Sequence, residues 1–218
     1  MEESRRPADA EAGSGSLSTR SALLDAAERI MLEDGYAAVS SRRLGARAGV
    51  NPALVYYYFG NMDSLFVALF RRGAERSYQR LAEAAESEQP LWALWDAIHH
   101  QSRTALTMEF VSLATHRPSI RSEIAQSSKR FRELQLEIVT RALRDRDPGP
   151  WTPLTLVMLM SSVSRFLRIE EAFDIDAGHA EITAVVEEFL EQVEGSRHCR
   201  DTSDDGGVPR DGTGSAAQ

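Results

Sequence analysis

The chain has 218 residues, of which 42% are hydrophobic and 27% charged, the proportions of a globular protein with room for one or two compact domains. That composition excludes collagen-like and wholly disordered chains, and a single cysteine, Cys199, excludes an intramolecular disulfide framework. A formal net charge of −8 argues against indiscriminate polyanion binding over the whole surface.

Residues 1–18 contain Gly13-Ser14-Gly15-Ser16, residues 196–218 are dominated by Asp, Gly, Ser and Thr, and the two are expected to be a disordered arm and tail. The arm carries Arg5 and Arg6 beside four acids, so a solvated leader is favoured over a groove-binding segment. It also lacks the apolar centre of a signal peptide. No apolar run approaches the ~20 residues that cross a bilayer; the run at 156–160 stops at Ser161. A cytoplasmic protein with no membrane partner is expected.

Between the ends the pattern is helical almost throughout. Leu23, Leu24, Ala27, Ile30 and Met31 share one helix face, with Ser18 or Thr19 as the cap and Gly35 as the stop. A short helix follows at 40–48, burying Leu44 and Ala48. Gly49-Val50-Asn51 makes a turn, and Asn51 with Pro52 starts a third helix over 52–58, closed by Phe59-Gly60. Asn61 caps a fourth, long helix lasting to Ser87. Pro90 opens a helix with Leu91, Trp92, Trp95, Ile98 and His99 on one face, and residues 106–116 leave their state open. Pro118 starts a helix carrying Phe131, Leu134, Ile138 and Ala142. After the break at 147–150, helices are expected at 153–173 and 177–194. The fold class is all-α: a domain of short helices at 19–66, then a second helical domain at 67–195.

Chemistry concentrates in the first of these domains. Two short helices joined by a Gly-containing turn describe a helix-turn-helix. Residues 40–60 hold Arg42, Arg43 and Arg47 and no acid, a local basic spot on an acidic chain. Val55 and Phe59 lie four apart and should pack inward. One helix face cannot bury Tyr56, Tyr57 and Tyr58 together, so at least one ring must point outward, with a hydroxyl for phosphate and a flat apolar face for thymine methyls.

Thr19-Arg20, the run 24–27, Gly35-Tyr36, the unbroken stretch 44–59 and Leu65 together resemble the N-terminal domain of TetR-family transcriptional regulators. The resemblance implies a palindromic DNA operator read by a homodimer. It implies phosphate contacts from Ser40 or Ser41, Arg42 and Tyr56, and base or backbone contacts at Asn51, Pro52, Ala53, Leu54 and Tyr57; Arg20 joins this DNA-binding set. Arg43 stands where the family often has an acid and adds a phosphate contact. Pro52 and Leu54 replace residues that are often polar, which shifts readout towards apolar contact and DNA shape. Met62 occupies the place of a common phosphate-contacting Lys, so a shallower salt dependence is expected.

The remaining helices carry two further expectations. Family members pair through their last two helices, and Leu156, Val157, Leu159, Met160, Ile182, Val185, Val186, Phe189 and Leu190 are the candidate dimer face, with intramolecular core as the competing reading. Trp92, Trp95, Ile98, His99, Met108, Phe110, Met158 and Phe166 are the candidate lining for a small lipophilic effector, against close-packed core for each. His99 and His100 point to different helix faces, and His198-Cys199 lacks two further ligands nearby, so no metal is expected. No Walker, nucleophile-elbow or dinucleotide motif is present, so neither enzyme activity nor a cofactor is expected. The function expected is a ligand-responsive repressor. The alternative keeps DNA binding but gives the C-terminal helices a protein partner or an activating role.

Overall fold

The structure is a computed structural model that describes residues 8–99, 104–146 and 148–198. Every regular element among the described residues is helical: α1 (Ala8–Asp34), a 3-10 turn (Tyr36–Ala38), α2 (Ser41–Ala48), α3 (Ala53–Phe59), α4 (Met62–Ala85), α5 (Pro90–His99), α6 (Thr104–His116), α7 (Pro118–Ala142), α8 (Pro153–Glu171) and α9 (His179–Glu194). The protein is all-α, with an N-terminal helix-turn-helix followed by a helical C-terminal domain.

Local chemistry sets most helix ends. Ser40 caps α2 by accepting from the Arg43 N–H at 3.4 Å, and Asn61 caps α4 by accepting from the Ser64 N–H at 2.8 Å. Pro118 and Pro153 sit in the first turns of α7 and α8, where a missing N–H costs nothing. Three expectations are corrected. Helix α1 begins at Ala8, ten residues upstream of the Ser18 cap, because Ala8, Ala10 and Ala12 favour helix and elongation adds one hydrogen bond per residue. The open stretch 106–116 lies wholly within α6. Residues 196–198, assigned to the tail, are bonded to the body: Gln89 Nε2 donates to the Ser196 carbonyl at 2.9 Å, and the His198 N–H donates to Gln89 Oε1 at 2.7 Å. Arg5, Arg6, His100, Cys199 and the rest of the tail lie outside the described residues.

Two apolar clusters organise the packing. The first joins Leu23, Ile30, Leu44, Val55, Phe59, Leu65, Phe66 and Leu69 to Leu106, Phe110 and Leu113 of α6 and Ile120 of α7. The second joins Leu81, Trp92, Trp95, Ile138, Val139, Leu156, Val157, Met160, Val186 and Leu190. Helices α4 and α7 are the beams that enter both. Leu69 and Leu81 on α4 are twelve residues apart, so the clusters are separated by about 18 Å along that helix. The expected boundary at residue 66 therefore falls inside α4, and the N-terminal core recruits α6 from the chain beyond it.

Ion pairs fix how α4 is rotated. Arg72 reaches Asp25 at 2.6 Å and Glu28 at 2.9 Å on α1. On the other side Asp63 pairs with Arg117, Arg71 with Glu123 at 2.7 Å and Glu75 with Arg130 at 3.1 Å. Exposed pairs are each worth little. The Arg72 pairs are better shielded, since that side chain is 17% exposed. At the far end Glu194, whose side chain is 1% exposed, accepts from the N–H groups of Leu91 at 3.0 Å and Trp92 at 2.9 Å. It thus supplies from α9 the carboxylate that the N-terminus of α5 favours.

The tightest backbone approach is at Gly45, inside α2. A Cβ there would lie 2.8 Å from the Pro52 ring and from the Val50 carbonyl oxygen. Gly49, which ends α2 with φ of 68°, has open space around it. Gly45→Ala is therefore expected to destabilise by about 1–3 kcal/mol through overpacking, despite alanine's better helix propensity. Gly49→Ala should cost about 1 kcal/mol from backbone strain alone. Urea melts of the two variants check the order.

Candidate nucleic-acid interface

The recognition helix α3 sorts its side chains by the face they occupy. Val55 is fully buried and Phe59 8% exposed, both in the first apolar cluster, as their four-residue spacing predicts. Tyr56 is 52% exposed and Tyr57 77%. Tyr58 is half-buried and meets Tyr57 edge-on, with ring centroids 5.0 Å apart and planes at 82°, which restricts where the exposed ring can swing. Just upstream, Asn51 Oδ1 accepts from the Ala53 N–H at 2.9 Å and fixes the entry to the helix. Asn51, Pro52 and Ala53 are exposed, while Leu54 is half-buried against the first cluster. Ser40 and Ser41 stand at the start of α2, Ser40 exposed and Ser41 half-buried.

Charge is arranged differently from the reading of residues 40–60 alone. Although that stretch contains no acid, the end of α1 brings Glu33 and Asp34 against it. Arg43 pairs with Asp34, and Arg47 with Glu33, whose carboxylate raises the guanidinium further above its already high range. Arg43 is therefore held by a neighbour rather than freely presented. Arg42 is exposed and unpaired among the described residues, and Arg20 is exposed with its guanidinium 5.0 Å from the centre of the Phe59 ring. Met62 is half-buried and packs on the first cluster. The exposed side chains of this region thus include two tyrosines on α3, Arg42 on α2 and Arg20 on α1, groups whose hydroxyls and guanidinium N–H groups suit phosphate contact.

The other predicted residues distribute as follows. Trp92 and Trp95 are buried in the second cluster with Ile98 packed on it, and His99 stacks on Trp95 at 4.6 Å. Phe110 is buried in the first cluster, edge-on to Phe70 at 5.2 Å. Met108, Met158 and Phe166 are exposed. The eight candidate effector residues therefore do not surround a common cavity. The cause is that bulky residues on α5 fill the core and those on α8 face outward. Of the candidate dimer residues, Leu156, Val157, Met160, Val186 and Leu190 belong to the chain's own core and Phe189 packs against it. Ile182 and Val185 are exposed, together with Met158, Leu159 and Phe166.

Space is found elsewhere. A cleft of about 1020 Å³ runs beside α4, lined among others by Arg20, Tyr58, Phe59, Tyr78, Arg130 and Phe131. The Arg130 guanidinium lies 3.7 Å from the Tyr78 ring centre. Glu123 and Glu75 raise the already high proton affinity of Arg71 and Arg130. Among the described residues, no group of three or more His, Cys, Asp or Glu side chains could hold a metal, and no single helix is long and apolar enough to cross a membrane. Sequence reading missed Gly45, the pairing acids Glu33 and Asp34, and α6. Only the glycine carries a local signal, its place one turn before the helix-ending Gly49.

Residues 23–69 match the family model for bacterial regulatory proteins of the tetR family. The matched segment holds α2 and α3, so the helix-turn-helix of this chain is similar to that of the tetR family. A relative, the HTH-type transcriptional regulator BetI of Rhizobium meliloti, is 42% identical over 52 residues, 24% of this chain and 26% of BetI. The HTH-type transcriptional repressor AcnR of Corynebacterium diphtheriae is 26% identical over 125 residues, 56% of this chain and 64% of AcnR. The matches thus span from a quarter to just under two thirds of the relatives' length. The fold extends further. A TetR transcription regulator from Haloarcula marismortui superposes with a TM-score of 0.69 at 16% identity, covering 81% of this chain and 98% of the other. A transcriptional regulator from Saccharomonospora viridis, solved in complex with choline, gives 0.69 at 16% identity over 80% and 96%.

The unequal arginines of this helix-turn-helix make a testable difference. Arg42→Ala is expected to weaken duplex binding across all sequences and to lower the salt slope by about one. Arg47→Ala, which removes a guanidinium already held by Glu33, should leave the slope nearly unchanged. Fluorescence anisotropy titrations between low and moderate salt measure both.

Proposed function

We propose that the protein is a transcriptional repressor that binds a palindromic operator as a homodimer and leaves it when a small-molecule effector binds. The observation that carries this reading is the pair of exposed tyrosines on α3, set on a buried Val55 and Phe59, in a region where Arg42 and Arg20 are also exposed. Two tyrosines face solvent although burial would stabilise their rings, so the surface is kept for a partner. A seven-residue helix reads only a few base pairs, and two-fold pairing doubles the site while setting half-site spacing near one helical turn. A cytoplasmic location follows from that role.

Pairing is supported by the outer faces of α8 and α9, where Met158, Leu159, Phe166, Ile182 and Val185 remain exposed. Exposed apolar side chains grouped on neighbouring helices mark an interaction surface. The effector is supported by the cleft, which lies between the DNA-binding helices and the α4–α7 beams. An occupant there bears on both. The choline-bound Saccharomonospora viridis regulator shows that this fold accommodates a small molecule in one relative of similar structure.

Selection of bound duplexes from a random pool tests the reading. The wild type is expected to recover an inverted repeat, and Tyr57→Ala to lose discrimination by about 1–3 kcal/mol per half-site. Recovery should fall when a small-molecule extract containing the effector is added. Failure of the folded wild type to enrich any duplex, with and without extract, sinks the proposal. For pairing, the double variant Phe166→Asp with Val185→Asp is expected to sediment as a monomer and lose most operator affinity while keeping its helical circular dichroism.

A further inference from the structure

The turn between α1 and α2 receives a polar contact from outside the helix-turn-helix. Glu109 on α6 accepts a hydrogen bond from the Tyr36 N–H through Oε2 at 2.6 Å, 73 residues away in sequence, in a half-buried setting. This N–H begins the 3-10 turn, whose preceding residue is Gly35 and so has no side chain with which to cap it. The Glu109 carboxylate does that work. A Cβ at Gly35 would lie 3.4 Å from Oε2, so the carboxylate sits directly against the backbone. The turn it holds leads through the buried Val39 to Ser40, the cap of α2.

Apolar contact between α6 and the N-terminal core is made by Leu106, Phe110, Leu113 and Ala114. Apolar packing is non-directional and tolerates a small slide of one helix on another. A hydrogen bond to a backbone N–H weakens steeply with misalignment and fixes the register. We propose that Glu109 is a positioning residue for DNA recognition: its carboxylate on the Tyr36 N–H sets the α1–α2 turn, and through it the orientation of α2 and α3. Glu109 lies outside the matched segment 23–69, so the DNA-reading unit of this chain is completed by a residue of its C-terminal domain. The inference rests on the DNA-binding reading above.

Two substitutions separate reach from charge. Glu109→Asp keeps the charge but withdraws the carboxylate by about one C–C bond, 1.5 Å. Glu109→Gln loses the charge but keeps an acceptor oxygen in place. In the full-length protein, titrated against a duplex recovered by the wild type, Glu109→Asp is expected to weaken binding at least tenfold. Glu109→Gln should stay within about threefold. Amide hydrogen exchange at Tyr36 should accelerate in the Asp variant and remain near wild type in the Gln variant. Leu113→Ala controls for general loosening, because it thins the same packing without touching the bond. Its affinity loss at a matched fall in melting temperature should be smaller than that of Glu109→Asp. Wild-type affinity in Glu109→Asp, or equal losses in the Asp and Gln variants, overturns the positioning role. A wild type that holds no duplex at all instead overturns the DNA-binding reading, and this one with it.

Discussion

Helices of eight and seven residues do not hold themselves in water, and the reading head of this protein is made of two such helices. Everything else in the N-terminal half answers that constraint. Leu44 of α2 and Val55 and Phe59 of α3 are buried in a cluster whose other walls are α1, the start of α4, α6 and the start of α7. The helix-turn-helix is therefore not an independent module on a stalk. It shares its interior with helices that the chain returns to some forty residues later, and its geometry is set by what those helices do.

The same dependence appears in the charges. Arg43 and Arg47 look unopposed along the chain but meet Asp34 and Glu33 across the α1–α2 angle. Exposed as they are, these pairs add little to the helix crossing, but they lower the positive potential of that surface. On the proposed function, discrimination would lean on shape and on the exposed tyrosine rings more than on long-range attraction. A protein of net charge −8 that reads DNA in this way gains selectivity from having little non-specific hold on the duplex.

Much of this was legible in the sequence because it depends on neighbours a few residues apart. The cap at Asn61, the inward Val55 and Phe59, and the need for outward tyrosines are local facts. The close approach of Gly45 to Pro52, the acids facing Arg43 and Arg47, and Glu109 on the Tyr36 N–H were not legible, since each requires the folded crossing of two helices. The C-terminal helices show a different limit. In α8, Leu156, Val157 and Met160 are buried while Met158, Leu159 and Phe166 are exposed. A helix apolar on both faces carries no periodic signal telling which face belongs to its own core. The effector candidates dispersed for a related reason, because aromatic bulk on α5 and α6 serves two separate interiors.

The Glu194 carboxylate at the start of α5 has a consequence for the order in which the chain assembles. The first apolar cluster draws on no residue beyond Ile124, so it can close while the remainder is still being synthesised. The second cannot. Its α5 waits for a cap that arrives 103 residues later, and Leu190 arrives with it. Because long-range closure is slow and domains tend to form in the order they are made, the helix-turn-helix half takes shape first. The half proposed to join two copies comes last, so such pairing would wait until both apolar interiors have closed.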